Sequence, residues 1–300
     1  MVRKKILILG GTSYIGIHLF NHLGKDLAIR TYHSKPVENG IYFDALSMDL
    51  SKILKNTKNI SHAVILLGDA NPDSCAGDIE KSKRLNVDSI KSIIDHLNEY
   101  GIKPVFTSSQ FVFDGKKGDY TEEDPVSPIL TYGKQKVEIE RYIQRMCSDF
   151  IIARISKAFG SQIGDKTIFT NWLDDIDNKR DIHCAHDQTF SPIYVKDIAN
   201  SIISLINNNC SGIFHLSGKK AYSRLELLGI LLNHIKKYSS TKPKVIKCSI
   251  NDFPFKEKRP LNVSMRSNKL TNVTGIKLHD VNEVCEDIAK EYSRIKSDKK

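Results

Sequence analysis

The residues of this chain best suited to chemistry are Ser108-Ser109 and, 23 positions after the second serine, Tyr132-Gly-Lys-Gln-Lys136. On a helix, positions i and i+4 share a face, so Tyr132 and Lys136 would present a phenol and an ammonium side by side. A phenol titrates near ~10 in water, and an adjacent cation favours its ionised form. Such a pair is a proton donor brought toward neutral pH, and a serine hydroxyl at the same point would hold a carbonyl oxygen while the proton arrives. The same spacing recurs at Tyr238 to Lys242 and at Tyr292 to Lys296. Context therefore has to decide, and neither of those copies follows a strand ending in serines; both are assigned to surface structure.

The elements that must position the first copy are legible upstream. Lys4 to Leu9 reads as a short buried strand running into Gly10-Gly11-Thr12-Ser13-Tyr14-Ile15-Gly16, with an amphipathic segment from Ile17 to Leu23 behind it. Strand, glycine turn and helix start together make a phosphate-binding device, in which backbone N–H groups and the helix dipole face a pyrophosphate. Gly10, Thr12, Ser13, Tyr14, Ile15 and Gly16 are the expected contacts, with Ser13 where a middle glycine is usual. A strand-to-helix turn without a ligand is the plainer alternative. Leu27 to Tyr32 reads as the second strand, ending at His33-Ser34-Lys35. No carboxylate appears there to take a ribose 2′-hydroxyl, and Lys35 suits a 2′-phosphate, which favours NADPH while leaving NADH open. Asp49-Leu50 closes a third extended run where adenine contacts are expected. Ala63 to Gly68 is a buried-strand signal that places Leu67 and Gly68 at the cofactor. A helical segment from Glu80 to Tyr100 leads to the strand Pro104 to Ser109. Strands alternating with helices predict an α/β fold, a Rossmann-type doubly wound parallel sheet with ligands beyond its carboxyl ends.

Composition bounds the class. Three hundred residues with 40% hydrophobic content suit one large α/β unit or two lobes. No run of 18 apolar residues occurs, and the N-terminal segment is too short for a signal-peptide core, so a cytoplasmic location without membrane attachment is expected. The six scattered cysteines form no C-x-x-C pair or zinc spacing, and read as reduced thiols. A net charge of +10 raises the question of nucleic acid, but the lysines are spread along the chain and the densest run, Lys296 to Lys300, is terminal. That is a solvated surface rather than a groove, compatible with a phosphate-bearing small substrate.

Asp-Gly at 114–115 and the prolines at 125 and 128 make the segment before Tyr132 a loop, with Thr131 or Ser127 available to start the helix from Tyr132 to Ile143. The stretch SSQFVFDGKKGDYTEEDPVSPILTYGKQKVEIE resembles the signature region of extended short-chain dehydrogenases/reductases, most closely the dTDP-4-dehydrorhamnose reductase family. IIARISKAFG at 151–160, DQTFSPIYVKDIA at 187–199, GIFHLSG at 212–218, RPLN at 259–262 and SNKL at 267–270 extend the likeness over essentially the whole chain. The resemblance implies NADPH-dependent reduction of a nucleotide-linked 4-keto-6-deoxy sugar. In it Ser109 would orient the ketone, Tyr132 would protonate its oxygen, and Lys136 would depress the tyrosine pKa and hold the nicotinamide ribose. Gln110 and Phe111 stand where the family commonly carries Asp and Tyr, and both are expected at the substrate. His18 stands near a place where some members bind magnesium through glutamates, so no metal is expected.

The expected organisation is a dinucleotide-binding core over 1–157 plus roughly 190–218, and a smaller C-terminal substrate-binding lobe from 158–189 and 219–300. Helices are expected over Thr167 to Ile176, Lys196 to Asn207 and Ser223 to Tyr238, and strands over Ile151 to Ile155 and Gly212 to Ser217. Arg154, Lys258 and Arg259 are candidates for a nucleotide diphosphate, with structural roles as the alternative. Trp172 is a candidate base-stacking platform, or core. His183, His186 and His215 have no metal-ligand spacing. Beside the ketoreductase stand an epimerase or dehydratase of the same superfamily, a non-catalytic regulatory subunit of the kind that partners methionine adenosyltransferase, and nucleic-acid binding. Ser109-Gln110-Phe111 supplies no carboxylate for a dehydratase. A homodimer is an open arrangement.

Overall fold

In the first strand, β1 (Lys5–Leu9), Ile6 and Ile8 join the core on one side and Leu7 and Leu9 the core on the other, as a two-residue repeat buried on both faces requires. The sheet continues with β2 (Ala28–Tyr32), the exposed edge strand β3 (Gly40–Tyr42), β4 (Ile60–Ile65), β5 (Lys103–Ser109), β6 (Ile151–Ile155) and β7 (Gly212–Leu216), with β5 and β6 buried throughout. The computed structural model describes residues 4–238 and 242–298; the first three residues and Lys299 and Lys300 of the terminal lysine run lie outside them. The order across the sheet is β7-β6-β5-β4-β1-β2-β3, parallel at every pairing. The order reverses between β1 and β4, so a crevice opens at their carboxyl ends. This is the Rossmann-type doubly wound arrangement.

Two helical layers close the faces. On one side α1 (Tyr14–Leu23) and α5 (Val195–Asn207) bring Leu19, Ile198 and Ile202 against Ile6, Ile8 and Val105. On the other, α2 (Ser89–Glu99) and α3 (Thr131–Met146) bring Ile90, Ile94, Ile139 and Ile143 against Leu7, Ala63, Phe106 and Ile152. Each such aliphatic side chain contributes roughly 1.5–3 kcal/mol by leaving water. The expected single helix from Glu80 to Tyr100 is interrupted: a π-helical turn, Arg84–Asp88, separates Ile79–Lys83 from α2. That wide turn rotates Asn86 into the interior, where it is buried.

The remaining residues build a second hydrophobic core. Helices α4 (Ile168–Asp177), α6 (Arg224–Ile235) and α7 (Val281–Ser297) contribute Phe169, Trp172, Leu228, Leu231, Val284 and Ile288 to it. Two short parallel pairs, Ala158–Phe159 with Ile193–Tyr194 and Ile182–Ala185 with Val245–Cys248, bring the segments of this lobe together. Its chain is discontinuous, because α5 and β7 return to the large sheet before α6 begins.

Tyr292 is a correction to the expected surface position: it is 5% exposed in the second core and its hydroxyl donates to Asp177, to which Lys296 also pairs at 2.7 Å. The start of α3 is another. Neither Ser127 nor Thr131 caps it; the Glu257 carboxylate, 126 residues away in sequence, accepts from the Thr131 amide at 3.0 Å and from its hydroxyl at 2.9 Å.

Candidate active site

A cavity of about 430 Å³ lies at the carboxyl ends of β1, β4, β5 and β6. Ser13, Tyr14 and Ile15 form one end, Leu67 and Gly68 a side, and Ser109, Tyr132 and Lys136 the floor. With Ile155 to Ala158, five separate stretches of sequence thus face one space.

The glycine turn is built for close approach. A Cβ on Gly16 would lie 2.4 Å from the Gly10 carbonyl oxygen, so α1 meets the turn only without a side chain there. Ser13 takes the middle position because it is the helix N-cap, its hydroxyl accepting from the Gly16 amide at 3.2 Å. Gly10 and Thr12 complete the turn around which Ser13, Tyr14 and Ile15 reach the cavity. His33, Ser34 and Lys35 follow β2 as an exposed run, with His33 Nδ1 and Ser34 Oγ 3.0 Å apart.

Asp49 and Leu50 are placed differently from expectation. The Asp49 carboxylate accepts from the Ser51 amide at 2.7 Å and lies 2.9 Å from His96, on a separate groove, while Leu50 is core. Proximity in sequence to a strand end did not bring these side chains to the cavity.

At the floor, β5 ends in Ser109, whose hydroxyl accepts from the Phe111 amide at 3.2 Å and lines the cavity together with the Tyr132 phenol. One turn along α3 from Tyr132, Lys136 donates to the Thr107 carbonyl at 2.9 Å, its ammonium 5.6 Å from the Tyr132 ring. All three side chains are nearly fully buried. Burial pushes the Tyr132 phenol above its ordinary range, and the Ser109 hydroxyl acts the other way. Burial lowers Lys136 to about 8, against which Glu140 acts first. With the Lys136 ammonium turned to a backbone carbonyl, burial is the largest influence on the phenol, and Lys136 is not among the groups that lower it.

Gln110 and Phe111 both line the cavity. Gln110 is buried and its oxygen accepts from Ser156 Oγ at 2.7 Å, and Phe111 stands edge-on to Tyr132, ring centres 6.4 Å apart. Three other candidates are elsewhere. Arg154 lies under the floor, its Nε and Nη2 on both oxygens of Glu140 at 2.7–3.2 Å. Arg259 donates to Asp73 at 2.5 Å and lies 4.2 Å over the Phe255 ring, away from the cavity lining. Trp172 is 6% exposed in the second core, edge-on to Phe169, and offers no open face for a base. Each is consumed by a structural partner that sequence alone does not locate.

Sequence reasoning missed four residues. Asn86, delivered by the π turn, donates to the Asp69 carbonyl at 3.0 Å and to Gln135 Oε1 at 2.7 Å, and accepts from the Asp69 amide at 2.7 Å. It fixes the rim at Gly68, where a Cβ would stand 2.8 Å from Asn86 Oδ1. Asp69 brings a carboxylate to the cavity rim. Lys157, the residue after Ser156, reaches into the cavity with solvent still in contact, and its pKa is lowered by its surroundings and by Arg224. Arg224 donates to Gln188 at 2.7 Å, and among the described residues neither it nor Lys157 has a carboxylate partner within 4.0 Å. Unpaired cations on separate elements carry no local sequence signal.

A family model described as "RmlD substrate binding domain" matches residues 4–294. The chain belongs to the RmlD substrate-binding-domain family. Among its relatives, a dTDP-4-dehydrorhamnose reductase of Aggregatibacter actinomycetemcomitans is 26% identical over 263 residues, covering 81% of this chain and 88% of the relative. The methionine adenosyltransferase 2 subunit beta of Bos taurus is 23% identical over 241 residues, covering 75% and 70%. Among solved structures, a Bacillus anthracis dTDP-4-dehydrorhamnose reductase in complex with NADP superposes with a TM-score of 0.81 at 20% identity over 96% of this chain and 99% of that one. A Methanobrevibacter ruminantium UDP-N-acetylglucosamine 4-epimerase does so at 0.80 and 19%, over 99% and 100%. Among these relatives both reductase and subunit names thus occur, and the structural likeness speaks for the fold.

Proposed function

We propose that this RmlD-family protein is an NADPH-dependent reductase of a nucleotide-linked 4-keto-6-deoxy sugar. The observation that carries the reading is the meeting of Ser109, Tyr132 and Lys136 in the cavity that begins at the glycine turn. The dinucleotide fits the residues present. The turn before α1 has no room for a Cβ at Gly16, as a backbone cradle for a pyrophosphate requires, and the exposed Lys35 with His33 and Ser34 suits a 2′-phosphate.

When bound, NADPH supplies the hydride. The chain's own residues handle the oxygen. Ser109 donates a hydrogen bond to the carbonyl, and the Tyr132 phenol, kept protonated by its burial, gives its proton as negative charge develops there. Lys136, cationic at neutral pH with a pKa of about 8, stabilises the resulting phenolate and holds the nicotinamide ribose. Gln110, anchored by Ser156, borders the sugar. Lys157 and Arg224, lacking carboxylate partners, receive the nucleotide diphosphate in place of the arginines expected from sequence.

The test is incubation of the purified protein with NADPH and a panel of nucleotide 4-keto-6-deoxy sugars, following absorbance of the reduced nicotinamide. Substrate-dependent, stoichiometric oxidation supports the reductase; product without net cofactor change would make it an epimerase. The similarity to the methionine adenosyltransferase subunit favours one second reading, a cofactor-binding regulatory subunit. Cofactor binding without oxidation across the panel, with altered kinetics of an added methionine adenosyltransferase, would establish it instead.

A further inference from the structure

Beneath the cavity floor lies a buried charge cluster that the proton transfer does not itself consume. Glu140 is on α3, one turn beyond Lys136 and two beyond Tyr132, and is 1% exposed. Its Oε1 accepts from Ser108 Oγ at 2.5 Å and from Arg154 Nε at 3.0 Å; its Oε2 accepts from Arg154 Nη2 at 2.7 Å. Arg154 is itself 3% exposed on β6, with Nη1 3.5 Å from His215 on β7. A wholly apolar foundation would hold the sheet to α3 at least as well, since a buried ion pair is neutral or unfavourable against a packed hydrophobic replacement. The location of the pair is therefore informative: its carboxylate sits on the same helical face as the two side chains that handle the proton.

We propose that Glu140 is a positioning residue for the Tyr132–Lys136 pair, locked in place by Arg154 and Ser108 so that its carboxylate holds Lys136 in its cationic form at the cavity floor. The role rests on the reading of Tyr132 and Lys136 as the proton-handling pair.

The surroundings of Lys136 leave this task to Glu140. From β5 it meets the Thr107 carbonyl, 2.9 Å away, and the Phe106 ring at 4.6 Å. From the short helix Pro72–Gly77 comes Cys75, a thiol whose pKa burial raises to about 11, so it is uncharged at neutral pH. On α3 itself are Tyr132, protonated, and Glu140. Asp69, on the loop after β4, acts on Tyr132 and Cys75. Glu140 is thus the anion that opposes the desolvation of Lys136. Arg154 and Ser108 fix the carboxylate, one helical turn from Lys136.

The test reads the titration of Lys136 directly, without cofactor or substrate: competitive acetylation of its amine by trace acetic anhydride across pH, quantified on the Lys136 peptide by mass spectrometry. In Glu140→Gln the midpoint should fall by about one pH unit, and Glu140→Asp, which keeps the charge, should restore most of it. If Glu140→Gln does not fold because it leaves Arg154 unpaired, Glu140→Gln/Arg154→Met removes both partners and should lower the midpoint in the same direction by a smaller amount, since the Arg154 charge leaves with the carboxylate. An unchanged midpoint in a folded Gln variant overturns the proposal, leaving Glu140 a structural anchor. A lowered midpoint in a protein that never oxidises NADPH would uphold the charge effect while sinking the reductase reading, so the two failures are separable.

Discussion

At the residue scale, the proposed reduction takes its proton from the Tyr132 phenol, and replacing that residue separates chemistry from binding. Tyr132→Phe keeps the ring against Phe111 and loses the hydroxyl, so kcat should fall by about 10²–10⁴-fold while NADPH titration by fluorescence stays near wild type. Undiminished turnover would remove Tyr132 from the mechanism. Lys157 and Arg224 make a different prediction, because the proposed function assigns them to the nucleotide diphosphate rather than to the reacting oxygen. Lys157→Met or Arg224→Met should raise the KM for the nucleotide sugar by roughly tenfold, one charge-assisted contact at about 1.5 kcal/mol, with kcat changed much less. A selective loss of kcat would instead place the cation in the chemical step.

At the element scale, α3 carries both Tyr132 and Lys136, so whatever fixes its first turn fixes the site. That turn is capped from outside by Glu257, which satisfies the Thr131 amide as a side-chain cap within the helix would. Glu257→Ala should lower the unfolding free energy by about 1 kcal/mol, as loss of an N-cap does, measured by urea denaturation. It should also weaken turnover more than NADPH binding, because the cofactor turn belongs to α1. A variant as stable as wild type would show that water replaces the carboxylate at no cost. The π turn Arg84–Asp88 plays the corresponding part on the opposite rim, where Asn86 holds the Asp69 backbone by two hydrogen bonds and is itself tied to Gln135 on α3 by a third.

At the scale of the whole molecule, two cores share the load. Trp172 belongs to the second, and Trp172→Ala should destabilise the protein by about 3–5 kcal/mol. If Trp172 stacked on a base, the loss would instead appear chiefly in KM with little change in melting temperature. Acid stability is set by buried histidines. Burial, and secondarily Arg154, holds His215 at about 3; burial and Lys103 hold His62 at about 4. The unfolded chain protonates both near ~6.5. Stability present above that pH is therefore lost as pH falls through the interval down to about 3, because only the unfolded state takes up the protons. Glu122, whose carboxyl is raised by burial, offsets part of this loss. Urea midpoints should decline from pH 7 to pH 5, and His215→Gln should flatten the slope; a midpoint that rises on acidification would contradict the assignment.

The sequence by itself determined the local devices: a buried strand entering a glycine turn, the four-residue spacing that puts Tyr132 and Lys136 on one helical face, and a serine at a strand end. These are readable because each depends on backbone periodicity or on neighbours within a few residues. Ser13 shows the limit of pattern alone, since a departure from the usual glycine is in fact a helix cap. Tertiary structure decided everything that depends on which distant groups meet. Arg154, Arg259 and Trp172 had the right chemistry for a ligand, yet Glu140, Asp73 and the second core claim them. Lys157, Arg224 and Asn86 had no local signal; the fold brings Lys157 to the cavity with Arg224 near it, and a π turn sets Asn86 behind the Gly68–Asp69 rim. Charge and burial belong to the assembled fold, so Tyr132 and Lys136 could be singled out from their spacing and sequence context, whereas the surroundings of the lysine could not be read before Glu140 and the sheet were seen beneath it.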